Sequence, residues 1–166
     1  MQKNNSYIIL GIDPGYAITG WAILESQGQK LQLIDCGAIT SDKNEIHANR
    51  LKNINQELDK IIKQYQPKIL AVEELFFFKN LKTALKVAEA RGVILMTAIQ
   101  HDLVIREFTP LQVKQAVVGY GRADKNQIQQ MIKVILKMTE KIKLDDTADA
   151  VAIAITCAHG GIATGK

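Results

Sequence analysis

The sequence predicts an α/β fold, a mixed five-stranded sheet with helices on both faces, and three observations carry that expectation. The first forty residues read as three short β segments joined by tight turns. The hydrophobic spacing then lengthens to three and four residues, and strand-like and helix-like runs alternate afterwards. With 166 residues the chain has the length of a single domain, residues 1–166, able to bury a sizeable core. Hydrophobic residues make up 47% and charged residues 23%, as in ordinary water-soluble proteins, so disorder, a fibrous repeat and a disulfide scaffold all fit poorly.

The elements follow in order. Tyr7 to Ile12 is a nearly continuous apolar run that Asp13-Pro14-Gly15 stops, which predicts a buried strand ending in a turn. Thr19 to Glu25 and Leu31 to Thr40, separated around Gly28, predict a hairpin and hence an antiparallel three-stranded start. From Leu51 the apolar positions Leu51, Ile54, Leu58, Ile61 and Tyr65 form the stripe of an amphipathic helix that Pro67 ends. Ile69 to Glu74 is apolar and then abruptly acidic, a strand, and Asn80 to Gln100 is a helix after it. Asp102 to Phe108 predicts a fifth strand, and Pro110 opens a short helix through Val118. Gly119-Tyr120-Gly121 is a loop, after which Ile128, Met131, Ile132, Ile135 and Met138 mark another amphipathic helix. Asp146 to His159 alternates Ala with larger apolar residues, giving a last helix with a narrow face that can lie close to a sheet.

Several function classes are excluded early. Cys36 and Cys157 lie far apart with no CxxC or Cys/His ligand spacing, so neither a disulfide framework nor a zinc site is indicated, and a reducing cytoplasm fits. No run reaches the ~18 apolar residues of a membrane span, so no membrane partner is expected. Lys and Arg outnumber Asp and Glu by 21 to 17, a net +4 that permits an anionic partner without demanding one. The charge is uneven. Residues 109–143 hold seven basic and two acidic residues, Lys79, Lys82, Lys86 and Arg91 add a second basic stretch, and residues 1–42 are net negative. A basic flank beside an acidic centre suits a polyanion held by Lys and Arg.

That centre is made of scattered carboxylates. Asp13 ends the first strand, Glu73 and Glu74 end the fourth, and Asp146 with Asp149 opens the final helix. Each has an ordinary explanation: a favoured Asp-Pro-Gly turn, solvated glutamates after a strand, an N-cap at Asp146 with Asp149 in the first turn. The capping box fits imperfectly, because its partner is normally Glu or Gln. Together the acids form the oxygen-rich donor set of a divalent metal site. Mg²⁺ takes oxygen ligands and keeps positions open for water and phosphate. Strand alternation allows only one of Glu73 and Glu74 into a common site without choosing between them. Phe76-Phe77-Phe78 directly follows, and an exposed member would stack against bases.

The segments ILGIDPGYAITGWAI, AVEELFFFKN, ALKVAEARGV, QVKQAVVGYGRADKNQIQQM and DDTADAVAIAITCAH, in this order, resemble the RuvC Holliday junction resolvases over most of the chain. The resemblance implies a ribonuclease-H-like fold, a homodimer and Mg²⁺-dependent paired nicking of four-way DNA junctions in recombination and repair. It implies catalytic and metal-binding roles for Asp13, Glu73, Asp146 and Asp149, with Glu73 rather than Glu74 in the site. DNA contacts are implied for Phe76, Lys114, Arg122 and Lys125, and a mobile DNA-contacting loop for Gly119 to Arg122. Glu74 departs from the family's frequent amide, and no long basic tail follows His159. The resulting expectation is two Mg²⁺ ions, replaceable by Mn²⁺, about 3.5–4 Å apart in each active site. A branch-migration motor complex is a further expected partner, and the helix from Asn80 to Gln100 is the expected dimer contact. The competing readings are a ribonuclease-H-like nuclease acting on hybrids or flaps, a non-catalytic junction-binding dimer, and a sugar-kinase or actin-like ATPase domain.

Overall fold

The structure is a computed structural model and describes residues 6–75 and 81–160. Five strands, β1 (Ser6–Asp13), β2 (Ile18–Gln27), β3 (Lys30–Thr40), β4 (Ile69–Glu73) and β5 (Val104–Phe108), form one sheet in the order β3-β2-β1-β4-β5. The first three pair antiparallel as the tight turns require, and β4 and β5 join parallel to β1 through helical crossovers. The mixed sheet expected from the sequence is therefore present.

Helices α1 (His47–Tyr65) and α2 (Leu81–Gln100) cover one face; α3 (Pro110–Val118), α4 (Lys125–Ile135) and α5 (Asp145–His159) cover the other. Strand alternation divides the core between them. Leu10, Ile12, Leu70 and Val72 pack beneath α1 and α2, while Ile9, Ile69 and Ala71 pack beneath α5. Among the described residues no helix is long and apolar enough to cross a membrane.

Three boundaries differ from expectation. α1 begins at His47, a turn before Leu51, and that added turn buries Arg50 rather than an apolar residue. α4 stops before Met138. Lys137 takes a left-handed φ of 53°, and the Met138 N–H bonds the Lys133 carbonyl at 2.9 Å, a closed C-terminal turn. α5 opens at Asp145 behind Leu144, which cannot cap with its side chain, so Asp146 is not the N-cap. Asp145 and Asp146 occupy the first turn, where the helix dipole favours negative charge, and Asp149 follows in the next.

Candidate active site at the C-terminal edge of the sheet

The site begins with strand register. β1 and β4 pair from Ile9 opposite Ile69 to Ile12 opposite Val72, so the following residues, Asp13 and Glu73, end neighbouring strands. Asp13 shares the face of Ile9 and Gly11, and Glu73 that of Ile69 and Ala71, which is the face beneath α5. The alternation that left Glu73 and Glu74 equivalent in the sequence thus assigns Glu73 to the α5 side. Glu74 lies past the strand, its N–H bonded to the Phe108 carbonyl at 2.9 Å.

Close approach of α5 supplies the second pair of acids. A Cβ on Gly20 would stand 1.9 Å from the Asp146 carbonyl oxygen, and one on Gly11 would stand 2.3 Å from that of Ala150. Any side chain at either position would push the helix off the sheet. Gly20 is the cross-strand partner of Asp13, so this contact brings the first turn of α5 beside the Asp13 carboxyl. Thr147 fastens the same turn by donating its hydroxyl to the Gly37 carbonyl at 3.0 Å.

Capping fixes the basic residues. The Thr109 hydroxyl accepts from Gln112 N–H at 3.1 Å and starts α3, which carries Lys114. Asp124 and Gln127 form a second capping box, with both bonds at 2.9 Å, so α4 starts at Lys125. Lys125 Nζ lies 3.4 Å from Asp145 Oδ2 and 3.9 Å from Asp149 Oδ2. Lys114, Lys125, Glu73 and Asp149 line a cavity of about 370 Å³. Asp13, Glu73, Glu74 and Thr83 line another of about 300 Å³ beside α2. Arg122 is exposed and lines neither, and Phe76 lies outside the described residues.

The acids sense one another. Burial, followed by the charges of Asp149, Glu73 and Asp146, pushes the Asp13 carboxyl up to about 8. Burial and then Asp149 raise Glu73. Burial also raises Asp149, where Lys125 opposes the shift and Asp145 and Asp146 reinforce it. Lys125 is itself raised, first by Asp149. Among the described residues no three acidic, His or Cys side chains form a ready metal-ligand group. The four carboxylates gather at one edge without meeting at one point.

Sequence reasoning overlooked two partners. Asp145, which the resemblance leaves aside, accepts contacts from Lys125 and from Gln129, each at 3.4 Å. Arg91, one of the four cations of the second basic stretch, turns inward instead. Its Nε donates to the Glu73 carbonyl at 3.1 Å and its guanidinium pairs with Glu107. No local signal in α2 marks this, since both partners lie on other elements, β4 and β5.

The chain is similar to known proteins in sequence and fold. The family described as crossover junction endodeoxyribonuclease RuvC matches residues 9–157. Curated proteins of that description from Alkaliphilus oremlandii and Alkaliphilus metalliredigens are 55% and 53% identical over 154 residues, covering 93% of this chain and 94% of each relative. A solved structure of Thermus thermophilus RuvC in complex with a Holliday junction substrate superposes with a TM-score of 0.88 at 30% identity, covering 93% of this chain and 94% of that one. The matched span runs from β1 into α5 and so takes in both strand-end acids and the acidic start of the last helix, and on that agreement of sequence and fold the chain belongs to the RuvC family of crossover junction endodeoxyribonucleases.

Proposed function

We propose that this protein resolves four-way DNA junctions by hydrolysing phosphodiesters at the C-terminal edge of the sheet, with Asp13, Glu73, Asp146 and Asp149 as its catalytic acids. The observation that carries the reading is the gathering of these acids at one edge, bordered by Lys114 and Lys125 on α3 and α4. The donor set is entirely carboxylate oxygen, and among the described residues Lys125 is the cation that lowers the Asp13 carboxyl against its acidic neighbours. Such a set fits a hard divalent ion. The four acids would hold two Mg²⁺ ions, or Mn²⁺ in their place, which when bound activate water and stabilise the departing 3′ oxygen.

The protein's own residues do the remainder. Strand pairing fixes the backbone of Asp13 and Glu73, and the seating of α5 on Gly11 and Gly20 fixes that of Asp146 and Asp149, so all four acids are brought to one edge of the sheet. Lys114 and Lys125 position the scissile strand and offset charge on its phosphate, with Lys125 kept cationic by Asp149 and Asp145. Arg122 extends the basic border on the exposed side, and Phe76 stacks against junction bases.

Resolution needs two nicks, and a two-fold dimer supplies two sites. Leu81, Leu85, Met96 and Ile99 of α2 are all more than half exposed and recur at helical spacing with Gly92 between them, where an added Cβ would meet nothing. This stripe supports α2 as the contact between two copies. A motor that migrates the branch point is the partner this activity calls for in the cytoplasm. The deciding experiment compares cleavage of matched junction, duplex, flap and RNA–DNA hybrid substrates with Mg²⁺ and with EDTA, alongside the mass in solution. Junction-selective, metal-dependent, paired nicking by a dimer is expected. A monomer that cuts hybrids as readily as junctions would defeat the reading.

A further inference from the structure

α5 lies over β1 and β2, with basic residues on both sides of its N-terminus. Lys114 and Lys125 flank it on the β4 side. On the β3 side a hollow of about 610 Å³ opens between Cys36 and Gly37 and the connector that joins α4 to α5. Lys137, Lys141 and Lys143 line it with one acid, Glu140, while Met138, Ile142 and Leu144 give it an apolar floor. The three lysines are exposed, and among the described residues none forms an ion pair, unlike Lys60, Lys63 and Lys125.

Lys137 adds a second observation. It stands at the left-handed position that closes α4, with its N–H on the Val134 carbonyl at 3.2 Å and the next N–H on the Lys133 carbonyl at 2.9 Å. Helices usually place glycine there, because a Cβ disfavours that backbone. At this position stands a long cationic side chain, and the turn delivers it to the rim of the hollow.

We propose that this hollow is a second backbone site for the junction, holding phosphates of a DNA arm on Lys137, Lys141 and Lys143 with sugars against the apolar floor. The inference rests on the resolvase reading. Lys143 stands two residues before Asp145, which Lys125 contacts at 3.4 Å. A strand laid from Lys114 and Lys125 past the acids therefore continues directly to this rim. Phosphate contacts fix register and orientation without reading sequence, which is what a structure-selective enzyme needs.

The test uses the Asp13→Asn protein, so that the junction stays intact, and measures junction affinity across a salt series with and without K137Q, K141Q and K143Q together. Each phosphate contact contributes about 0.9 to the slope of log affinity against log salt, so the triple change should lower the slope by about 2–3 and weaken binding at least about tenfold at 0.1 M salt. A control carrying K30Q, K43Q and K52Q changes net charge equally and should leave the slope in place. Equal effects from both triples, or none from either, would overturn the proposal. Cys36 gives a second readout, since Cys157 is buried and Cys36 is only partly buried on the wall of the hollow. Saturating junction should slow maleimide labelling of Cys36, and unslowed labelling would overturn the site. Failure of the parent Asp13→Asn protein to prefer junction over duplex would instead count against the resolvase reading itself.

Discussion

The basic residues of α2 and those from α3 to α5 approach the same acidic edge from opposite faces of the sheet, yet they use their charge differently. In α2, Arg91 is bound to the Glu73 carbonyl and to Glu107, and Lys86 sits 4.8 Å above the Tyr16 ring, which Arg50 of α1 also covers at 4.6 Å. Lys114 and Lys125 instead line an open cavity, and the connector lysines have no ion partner among the described residues. Both stretches look alike as net charge. A cation already satisfied by protein holds the scaffold, whereas one facing a cavity is available to a polyanion.

The largest effect tests the edge both regions share. Asp13→Asn and Asp146→Asn should each lower junction cleavage by on the order of 10³-fold or more while binding persists, because a neutral amide keeps the shape and loses the anionic ligand. Cleavage retained by either variant would remove that acid from the site. Lys114→Ala with Lys125→Ala should slow cleavage about 10²-fold in Mg²⁺ and change unfolding free energy by less than about 0.5 kcal/mol. Loss of stability without loss of rate would reverse the contrast with α2.

The pH dependence of stability comes next. Asp13 titrates near 8 when folded, against an ordinary value of 3.8. Between those values the folded state holds a proton that the unfolded chain releases, so metal-free protein loses stability as pH rises from about 4 to about 8. The slope is up to about 1.4 kcal/mol per pH unit for one group, and the raised Glu73 and Asp149 act in the same direction. Mg²⁺ should accordingly raise the melting temperature more at pH 8 than at pH 6, where it must displace the proton. Denaturant titrations in EDTA across this range check the sign, and a stability that climbs toward pH 8 would contradict it.

Arg91→Ala should cost about 1–3 kcal/mol, toward the low end because Glu107 is half exposed, and leave junction affinity within about twofold. A large loss of affinity with unchanged stability would show that α2 also presents charge to DNA. The smallest effect is expected of Lys86→Gln, about 0.5–1 kcal/mol from the lost cation–π contact, measured in the same denaturant titrations.

Much of this was legible in the sequence where the signal is local. Apolar runs, turn glycines and capping residues gave every strand and helix close to its observed place, because local sterics and hydrogen bonding set these features. The missing turn of α1 escaped because His47 to Arg50 shows no apolar stripe. Met138 was drawn into α4 because hydrophobic spacing persists past a backbone reversal it does not record. Asp145 and Arg91 escaped for a different reason: their partners are 20 or 16–18 residues away, across other elements.

By itself the sequence determined the order and type of the elements, the acids that end them, and the family resemblance that ranks Glu73 above Glu74. Only the tertiary structure decided which face those acids share, because face is fixed by pairing β1 with β4 and by α5 resting on Gly11 and Gly20. It also decided which cations remain open. Charge is a property of a residue, whereas its availability depends on the neighbours that folding brings to it.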